Sequence, residues 1–381
     1  MNSLTPVRIR IQKEAIVRLT RSLKATGVIT VSPGQEVSPS EIIGTASVSA
    51  GFRIINLADL LGVAPAEVEK YLRRPVGQRI YKGELLAFKS SFLKGKKTII
   101  SPTDGVLDFL KPETGELRLR FLPKKQDLPA GVYGIVEAID RQKGQVVIRT
   151  QASLVFGMFG SGRVRDGILH LVTRRDEFLE KRLILPTLGE HILVAGSLIF
   201  KDAITAAISA GVNGIITGGI NAKDYKGMSG GKLIFPKKSE NDIGISVVVC
   251  EGFGSIPIGE DIHEILSSFT DKFVSIDGNK GIIYLPSFQS QSMTKIKNTK
   301  LPPFKESEMI RYVGGENNLE GIKTGLKVRI VGNSYPGDQG KIIALDQTNT
   351  LLPSGVKAFM ATVETKRLRL KIPVANLEII L

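Results

Sequence analysis

Short runs in which apolar and polar residues alternate recur along most of the chain, and this period predicts β-strands. The predicted strands include residues 27–31, 98–102, 105–110, 131–140, 145–150 and 167–172. Turn signals separate them: residues 32–35 read Ser-Pro-Gly-Gln, in which proline sets the second turn position and glycine accepts a positive φ. Helical patterns are short, and residues 56–62 and 65–72 form a predicted helical pair.

The first basic segment, residues 8–24, has a different pattern. Ile16, Leu19 and Leu23 recur at helical spacing, and six Lys and Arg residues accompany a single acid, Glu14. The segment predicts a short amphipathic helix with a basic face. A solvated lead-in to the first strand is the alternative.

Residues 186–288 alternate between strand and helix patterns. A predicted strand at 191–196 precedes a helix at 202–210 and a strand at 212–220, and a second unit follows with an apolar strand at 243–250 and a helix at 260–269. This order predicts a parallel sheet of about four strands. Cys250 ends an apolar strand and is predicted to belong to the core.

In open parallel sheets, ligands bind beyond the carboxyl ends of the strands. The possible ligand loop at those ends consists of Gly218, Gly219, Glu251, Gly252 and Gly254, and Glu251 is the side chain there that can exchange a proton. The alternative is that these glycines allow close packing. Because the sequence shows no catalytic triad or dinucleotide fingerprint, we expect no catalytic residue and lean away from an enzyme.

Charge is unevenly distributed along the 381 residues. The net charge of +15 divides into +10 for residues 1–126, −1 for residues 127–290 and +6 for residues 291–381. Basic ends beside a neutral middle favour contacts with nucleic-acid phosphates. General solubility is the alternative explanation.

Composition excludes several classes of site. One cysteine and three scattered histidines give neither an intrachain disulfide nor a zinc-ligand spacing, so we expect no metal and no cofactor. No apolar run approaches the roughly 20 residues that cross a bilayer, and the N-terminus is charged where a secretory signal is apolar. We therefore expect a cytoplasmic protein without a membrane span.

Residues 76–87, followed by residues 100–107, resemble the barrel-sandwich hybrid, a β module of lipoyl and biotinyl carriers and of large RNA polymerase subunits. Carriers in that family present a modifiable lysine in a short motif that residues 88–97 lack, so no attached cofactor is expected. Lys94, Lys96 and Lys97 are instead predicted to form an exposed basic hairpin. They either contact phosphates or are only solvated.

Residues 325–331, the loop at 332–340, the strand at 341–345 and the last strand at 368–380 resemble a KOW module, a small five-stranded barrel of transcription elongation factors and ribosomal proteins. In that family, the loop and its neighbouring strands contact RNA, DNA or protein. The resemblance implies that Lys327, Arg329 and Lys341 contact phosphates and that Tyr335 stacks on a base. Docking on a protein is the alternative.

Together these patterns predict a multidomain, mainly β protein with an α/β insert. The predicted parts are a barrel-sandwich-hybrid-like domain at 1–126, a small β module at 127–185, a parallel-sheet α/β domain at 186–288, a linker at 289–318 and a KOW-like barrel at 319–381. The predicted function is a non-catalytic adaptor that binds nucleic acid or a large nucleoprotein complex through its basic terminal modules. The alternatives are an assembly or envelope adaptor that associates with itself or with other proteins, and an enzyme that binds a ligand at the α/β loops.

Overall fold

The structure is a computed structural model that describes residues 6–23, 25–48, 51–91, 95–228, 242–289, 292–299, 319–331 and 335–381. It is mainly β, with a large mixed sheet and few helices, as the sequence predicts at that level. Within the described residues, no helix has the length and apolarity that a bilayer crossing requires.

The N-terminal segment is a long strand, and the helix predicted over residues 8–24 is wrong. The first strands are β1 (Pro6–Ser22), β2 (Gly27–Ile29), β3 (Glu36–Val37) and β4 (Ile42–Val48). Ile9 and Ile11 are buried before a bulge at Lys13 and Glu14, and Val17 and Leu19 are buried after it. Because these four positions are two or six residues apart, burial keeps the period of two that is typical of a strand, whereas Ile16 and Leu23, two of the residues at helical spacing, are only half-buried.

Residues 51–121 form an insert with its own core. The elements are β5 (Phe52–Asn56), α1 (Leu57–Leu61), a 3-10 helix at Pro65–Tyr71, β6 (Arg79–Ile80), β7 (Leu85–Ser91), β8 (Gly95–Ile100), β9 (Gly105–Lys111) and β10 (Glu116–Phe121). The predicted helical pair is confirmed. Leu61, Ile80, Leu107 and Leu119 belong to a buried cluster made only from this segment. The chain leaves β4 and returns through its antiparallel neighbour β11 (Lys124–Pro129), so the insert connects two paired strands.

The middle of the chain forms the mixed sheet and its covering helices. In order, these elements are β12 (Gly134–Asp140), β13 (Gln145–Phe156), β14 (Phe159–Ser161), β15 (Val164–Leu171), β16 (Phe178–Leu179), β17 (His191–Ala195), β18 (Leu198–Ile199), α2 (Lys201–Ser209), β19 (Gly214–Ile220), α3 (Ala222–Met228), β20 (Ser246–Phe253), α4 (Glu260–Ser267), β21 (Phe273–Asp277), β22 (Ile282–Pro286) and α5 (Ser292–Asn298). Short 3-10 helices at Lys181–Leu183 and Pro186–Leu188 precede β17. Strands β15, β17, β19 and β20 pair in parallel in that order; the last three come from the segment with the α/β rhythm, whereas β15 precedes it. Antiparallel pairing continues the sheet from β15 through β21, β22 and β13 to β1. At the other side of the parallel strands, β14 pairs antiparallel with β20, and the strand set as a whole forms a closed barrel.

Packing crosses the domain boundaries that the sequence suggests. Ile43 and Val31 lie in one core cluster with Val136 and Ile148, across the expected boundary at residue 126. Strand β15 pairs with β17 across the expected boundary at residue 185. In the segment expected to be a linker, α5 is helical and its Ile296 is fully buried, whereas residues 300–318 lie outside the described part.

The C-terminal strands form an antiparallel sheet around a separate apolar cluster that includes Val328, Ile342 and Val363. The strands of this region are β23 (Leu319–Gly321), β24 (Lys327–Ile330), β25 (Gln339–Leu345), β26 (Thr350–Leu351), β27 (Lys357–Ala358), β28 (Met360–Thr365), β29 (Arg369–Pro373) and β30 (Leu377–Ile380). Strands β26 and β27 pair with each other as a separate two-stranded sheet. The neighbour order is β30, β24, β25, β28, β29, and a 3-10 helix at Val374–Asn376 precedes β30. Strand β1 pairs antiparallel with β23 and parallel with β30, so the two ends of the chain share one sheet.

Candidate nucleic-acid interface

Two lysines on neighbouring C-terminal strands stand directly opposite each other. Lys327 on β24 is the cross-strand partner of Lys341 on β25, and both side chains are exposed. Side chains of directly opposite residues lie on the same face, and like charges in such a pair repel. Within the part of the chain that the structure describes, neither ammonium group has an ion-pair partner. The pair is therefore a local concentration of positive charge that an anion would relieve.

In a second cross-strand lysine pair, both ammonium groups donate hydrogen bonds to the protein. Lys89 on β7 is opposite Lys97 on β8 in the insert. The Lys89 Nζ donates to the carbonyl oxygen of Gly62 at 3.0 Å, and the Lys97 Nζ donates to that of Leu60 at 3.2 Å. These carbonyls lie at the C-terminal end of α1, where cations are stabilised. Lys97 thus has a structural role, while its neighbour Lys96 is exposed and Lys94 lies outside the described residues.

The lysine pair of the C-terminal sheet continues into a row of charged side chains. Lys341 is also opposite Glu364 on β28, which in turn is opposite Arg369 on β29. The Arg369 guanidinium binds Glu364 at 2.9 Å, and Lys371 binds Asp346 at 2.8 Å. Glu364 and Asp346 therefore each bind a cation other than Lys327 or Lys341.

Tyr335 lies in the connection between β24 and β25. Its side chain is 45 % exposed, and its φ of 59° lies in the left-handed region that side chains other than glycine and asparagine seldom adopt. The Tyr335 carbonyl accepts a hydrogen bond from the Asp338 amide, which closes the turn. Tyr335 is thus exposed at the end of the hairpin.

Arg329, two residues from Lys327 on the same strand, points into a charge network instead. Its Nη1 lies 3.3 Å from a Glu251 carboxylate oxygen and 3.2 Å from one of Glu378. This network joins β1, β20, α4, β24 and β30. Its members are Arg8, Arg10, Arg329, Glu251, Asp261 and Glu378.

Arg10 is the centre of the network and is fully buried. Its guanidinium binds Glu251 at 2.6 Å, Asp261 at 2.7 Å and Glu378 at 3.2 Å. Three arginines balance three carboxylates, so the buried charges are compensated. Burial pushes the pKa of Glu251 upward, but the positive charges of Arg10 and Arg329 outweigh burial and hold that pKa below its ordinary value.

The possible ligand loop is filled by the chain itself. A Cβ at Gly218 would lie 2.0 Å from the Ile256 carbonyl oxygen, and one at Gly219 would lie 1.9 Å from that of Gly254. Gly219 is paired with Gly252 across β19 and β20, so this stretch is strand rather than loop. Gly218 and Gly219 therefore allow close backbone approach, which is the packing alternative, whereas Gly252 and Gly254 adopt positive φ values of 147° and 100°.

The chemistry of the neighbouring side chains agrees with a structural role. Glu251 is ionised and bound by two arginines, which makes it a poor proton acceptor. Cys250 is fully buried in the core, as predicted, and burial raises the pKa of its thiol to about 12.

An open cleft of about 740 Å³ lies along α2, away from these residues, and includes Lys181, Ile184 and Thr205 in its lining. In the described residues, no group of His, Cys, Asp and Glu side chains is arranged to hold a metal ion.

One exposed face of the insert is not among the sites predicted from the sequence. Strands β5, β9 and β10 expose Phe52, Phe109, Arg118 and Arg120 on the side away from their core. The signal was present: residues 117–120 alternate Leu-Arg-Leu-Arg, and both leucines are buried. A strict period of two in a half-buried strand identifies the arginines as facing out.

Comparisons with known proteins do not indicate a function for the chain. No protein-family model matches the chain, and no curated protein matches it either.

Proposed function

We propose that the protein binds nucleic acid through phosphate contacts made by its C-terminal sheet. The observation that carries this proposal is the opposed pair Lys327 and Lys341, exposed and without an ion-pair partner among the described residues. A phosphate between two ammonium groups converts their repulsion into attraction and releases counterions. Tyr335, exposed at the end of the same hairpin, supplies a ring for stacking on a base.

Two further features support the proposal. The net charge of +15 draws polyanions toward the whole molecule, and the C-terminal 91 residues carry +6 of it. The order of the five paired C-terminal strands is consistent with the resemblance to a KOW module, whose loop contacts RNA, DNA or protein. The proposal excludes Arg329 and Lys97 because their cationic groups already bind protein oxygens.

Fluorescence anisotropy with a labelled DNA duplex tests the proposal on the full chain. The double variant Lys327→Ala and Lys341→Ala should bind more weakly by about tenfold or more at low salt, because two phosphate contacts are lost. The matched control is Lys181→Ala with Lys201→Ala, which removes the same charge from exposed lysines beside α2. It should bind like the parent.

Equal losses in both double variants would mean that only net charge matters, and the assigned site would be wrong. Absence of duplex and single-strand binding by the parent at low salt would contradict the function itself.

A further inference from the structure

The outer face of the four-stranded sheet in the insert carries aromatic rings between arginines. The strand order is β5, β10, β9, β6. The register places Phe52 opposite Arg120, and Arg120 opposite Val106 on β9. In the next row Ile54 is opposite Arg118, and Arg118 is opposite Phe109.

The fold does not bury these aromatic and aliphatic side chains. Phe52 is 57 % exposed, Ile54 56 % and Phe109 51 %. The opposite face of the same strands supplies Leu107, Leu117 and Leu119, which are fully buried in the core of the insert. The apolar residues of the outer face therefore contribute little to folding and are available to a partner.

Positive charge prevails on this face. Arg118 and Arg120 share one carboxylate, Asp108, at 2.7 Å and 3.1 Å, so one positive charge remains unbalanced there. Arg79 on β6 is opposite Val106 and ends the row that begins with Phe52 and Arg120. Within the described residues, Arg79 has no ion-pair partner. The Arg118 guanidinium lies 5.6 Å from the centre of the Phe52 ring, which places cation and ring in one contact area.

We propose that this face is a platform on which a single-stranded nucleic acid stacks its bases. Exposed rings on a sheet offer stacking surfaces to unpaired bases, and arginines between them contact the phosphates or stack as well. In a duplex, base pairs are stacked on one another and withhold their faces. The two rings lie on strands separated by one strand and in neighbouring rows, about 12 Å apart by strand spacing, so each takes a separate base.

Charge and spacing favour nucleic acid over a protein partner. Protein interfaces also contain aromatic rings and arginines, but their centres are depleted of charged residues. Here each ring lies beside an arginine, and the cations outnumber the acids. The inference deepens the proposed function by adding base contacts at a second site, and the two sites are tested with different variants and different probes.

The experiment compares a labelled oligo-deoxythymidine of about 20 nucleotides with a duplex, using the full chain. The double variant Phe52→Ala and Phe109→Ala should lose about tenfold or more of its affinity for oligo-deoxythymidine, and it should keep its affinity for the duplex. The double variant Phe52→Leu and Phe109→Leu keeps apolar bulk but removes the ring faces, so it should show the same loss.

Phe178→Ala is the matched control, because that ring is 46 % exposed in another part of the chain. It should bind oligo-deoxythymidine like the parent. Unchanged thermal unfolding in all variants shows that the insert remains folded.

Four outcomes would overturn the inference. One is full oligo-deoxythymidine binding by the leucine variant, which would indicate an apolar rather than a stacking contact. Another is a parent dimer in sedimentation that becomes a monomer in the alanine variant, which would make the face an interface between copies. The third is equal loss of duplex and single-strand affinity. Loss confined to the lysine variants would leave the proposed function intact and reject this second site.

Discussion

Arg10 connects parts of the sequence that are more than 240 residues apart. Its guanidinium binds carboxylates from β20, α4 and β30, and the side chain is fully buried. A buried ion pair adds little stability over an apolar replacement, but removal of one member leaves uncompensated charge. Arg10 therefore matters most as the partner that makes three buried acids tolerable.

Arg10→Ala should lower the free energy of unfolding by about 3–5 kcal/mol. Guanidinium denaturation measures the change. Arg174→Ala is the control, because its salt bridge with Glu177 is at the surface and its side chain is 85 % exposed; its effect should stay within about 0.5 kcal/mol. Similar stabilities for the two variants would contradict the role assigned to the network.

The same network predicts sensitivity to acid. Burial raises the pKa values of Glu251 and Asp261, but the arginines outweigh burial and lower both below the ordinary values of 4.5 and 3.8. Groups with lowered folded pKa values stabilise the fold above their ordinary pKa and lose that contribution as pH falls through the folded values. The thermal midpoint should therefore fall as pH drops below about 4.5. Asp261→Asn, with one acid fewer, should show a smaller fall, and identical pH profiles would contradict the assignment.

Helices and strands whose pattern lies within one segment could be predicted from the sequence, whereas pairings between distant strands could not. The helical pair at 56–72, α2 and the parallel strands β17, β19 and β20 follow from local periodicity and glycine stops. The helix predicted at β1 depends on the spacing of Ile16, Leu19 and Leu23, of which only Leu19 is buried in the strand. Strands β8 and β9 follow each other in the sequence but do not pair with each other: β8 pairs with β7, and β9 pairs with β6 and β10.

The candidate nucleic-acid interface was likewise predictable only where it depends on local sequence. The resemblance to a KOW module predicts Lys327, Lys341 and Arg329 alike as phosphate contacts. Arg329 differs because it binds the carboxylates of Glu251 and Glu378, which come from distant segments. No local pattern reveals that a cation is already bound. Likewise, the glycine-rich end of β19 predicts either a ligand loop or close packing, and only the position of residues 254–258 decides between them.

Helix α5 provides a test of the packing in the segment expected to be a linker. Ile296→Asp places a charge where the parent side chain is fully buried, so the helix should detach from the sheet. Trypsin should then cleave after Lys295 or Lys297 at least about tenfold faster. Thr294→Asp, at an exposed position of the same helix, is the control and should be cleaved like the parent. Equal cleavage of the parent and the Ile296→Asp variant would show that α5 is not held.

At the scale of the whole molecule, the insert is separable and the two chain ends are not. Residues 52–121 have their own core, whereas β1 pairs with both β23 and β30. The charge network adds side-chain contacts to that backbone pairing. The C-terminal sheet therefore has a fixed attachment to the N-terminal strand.

Replacement of residues 49–123 by an Asn-Gly turn should leave the rest of the chain folded, because Val48 and Lys124 are direct partners on β4 and β11. The shortened protein should unfold cooperatively, bind duplex as the parent does and lose its extra affinity for oligo-deoxythymidine. Aggregation or a lost unfolding transition would show that the insert is needed for the fold.

The most direct test of nucleic-acid binding by the C-terminal lysines is the dependence of duplex affinity on salt. For the parent, the logarithm of the association constant should fall linearly with the logarithm of the salt concentration. The slope for Lys327→Ala with Lys341→Ala should be shallower by about 1.8, since each phosphate contact contributes about 0.9. Identical slopes for the parent and this variant, or no binding by the parent at low salt, would contradict the account.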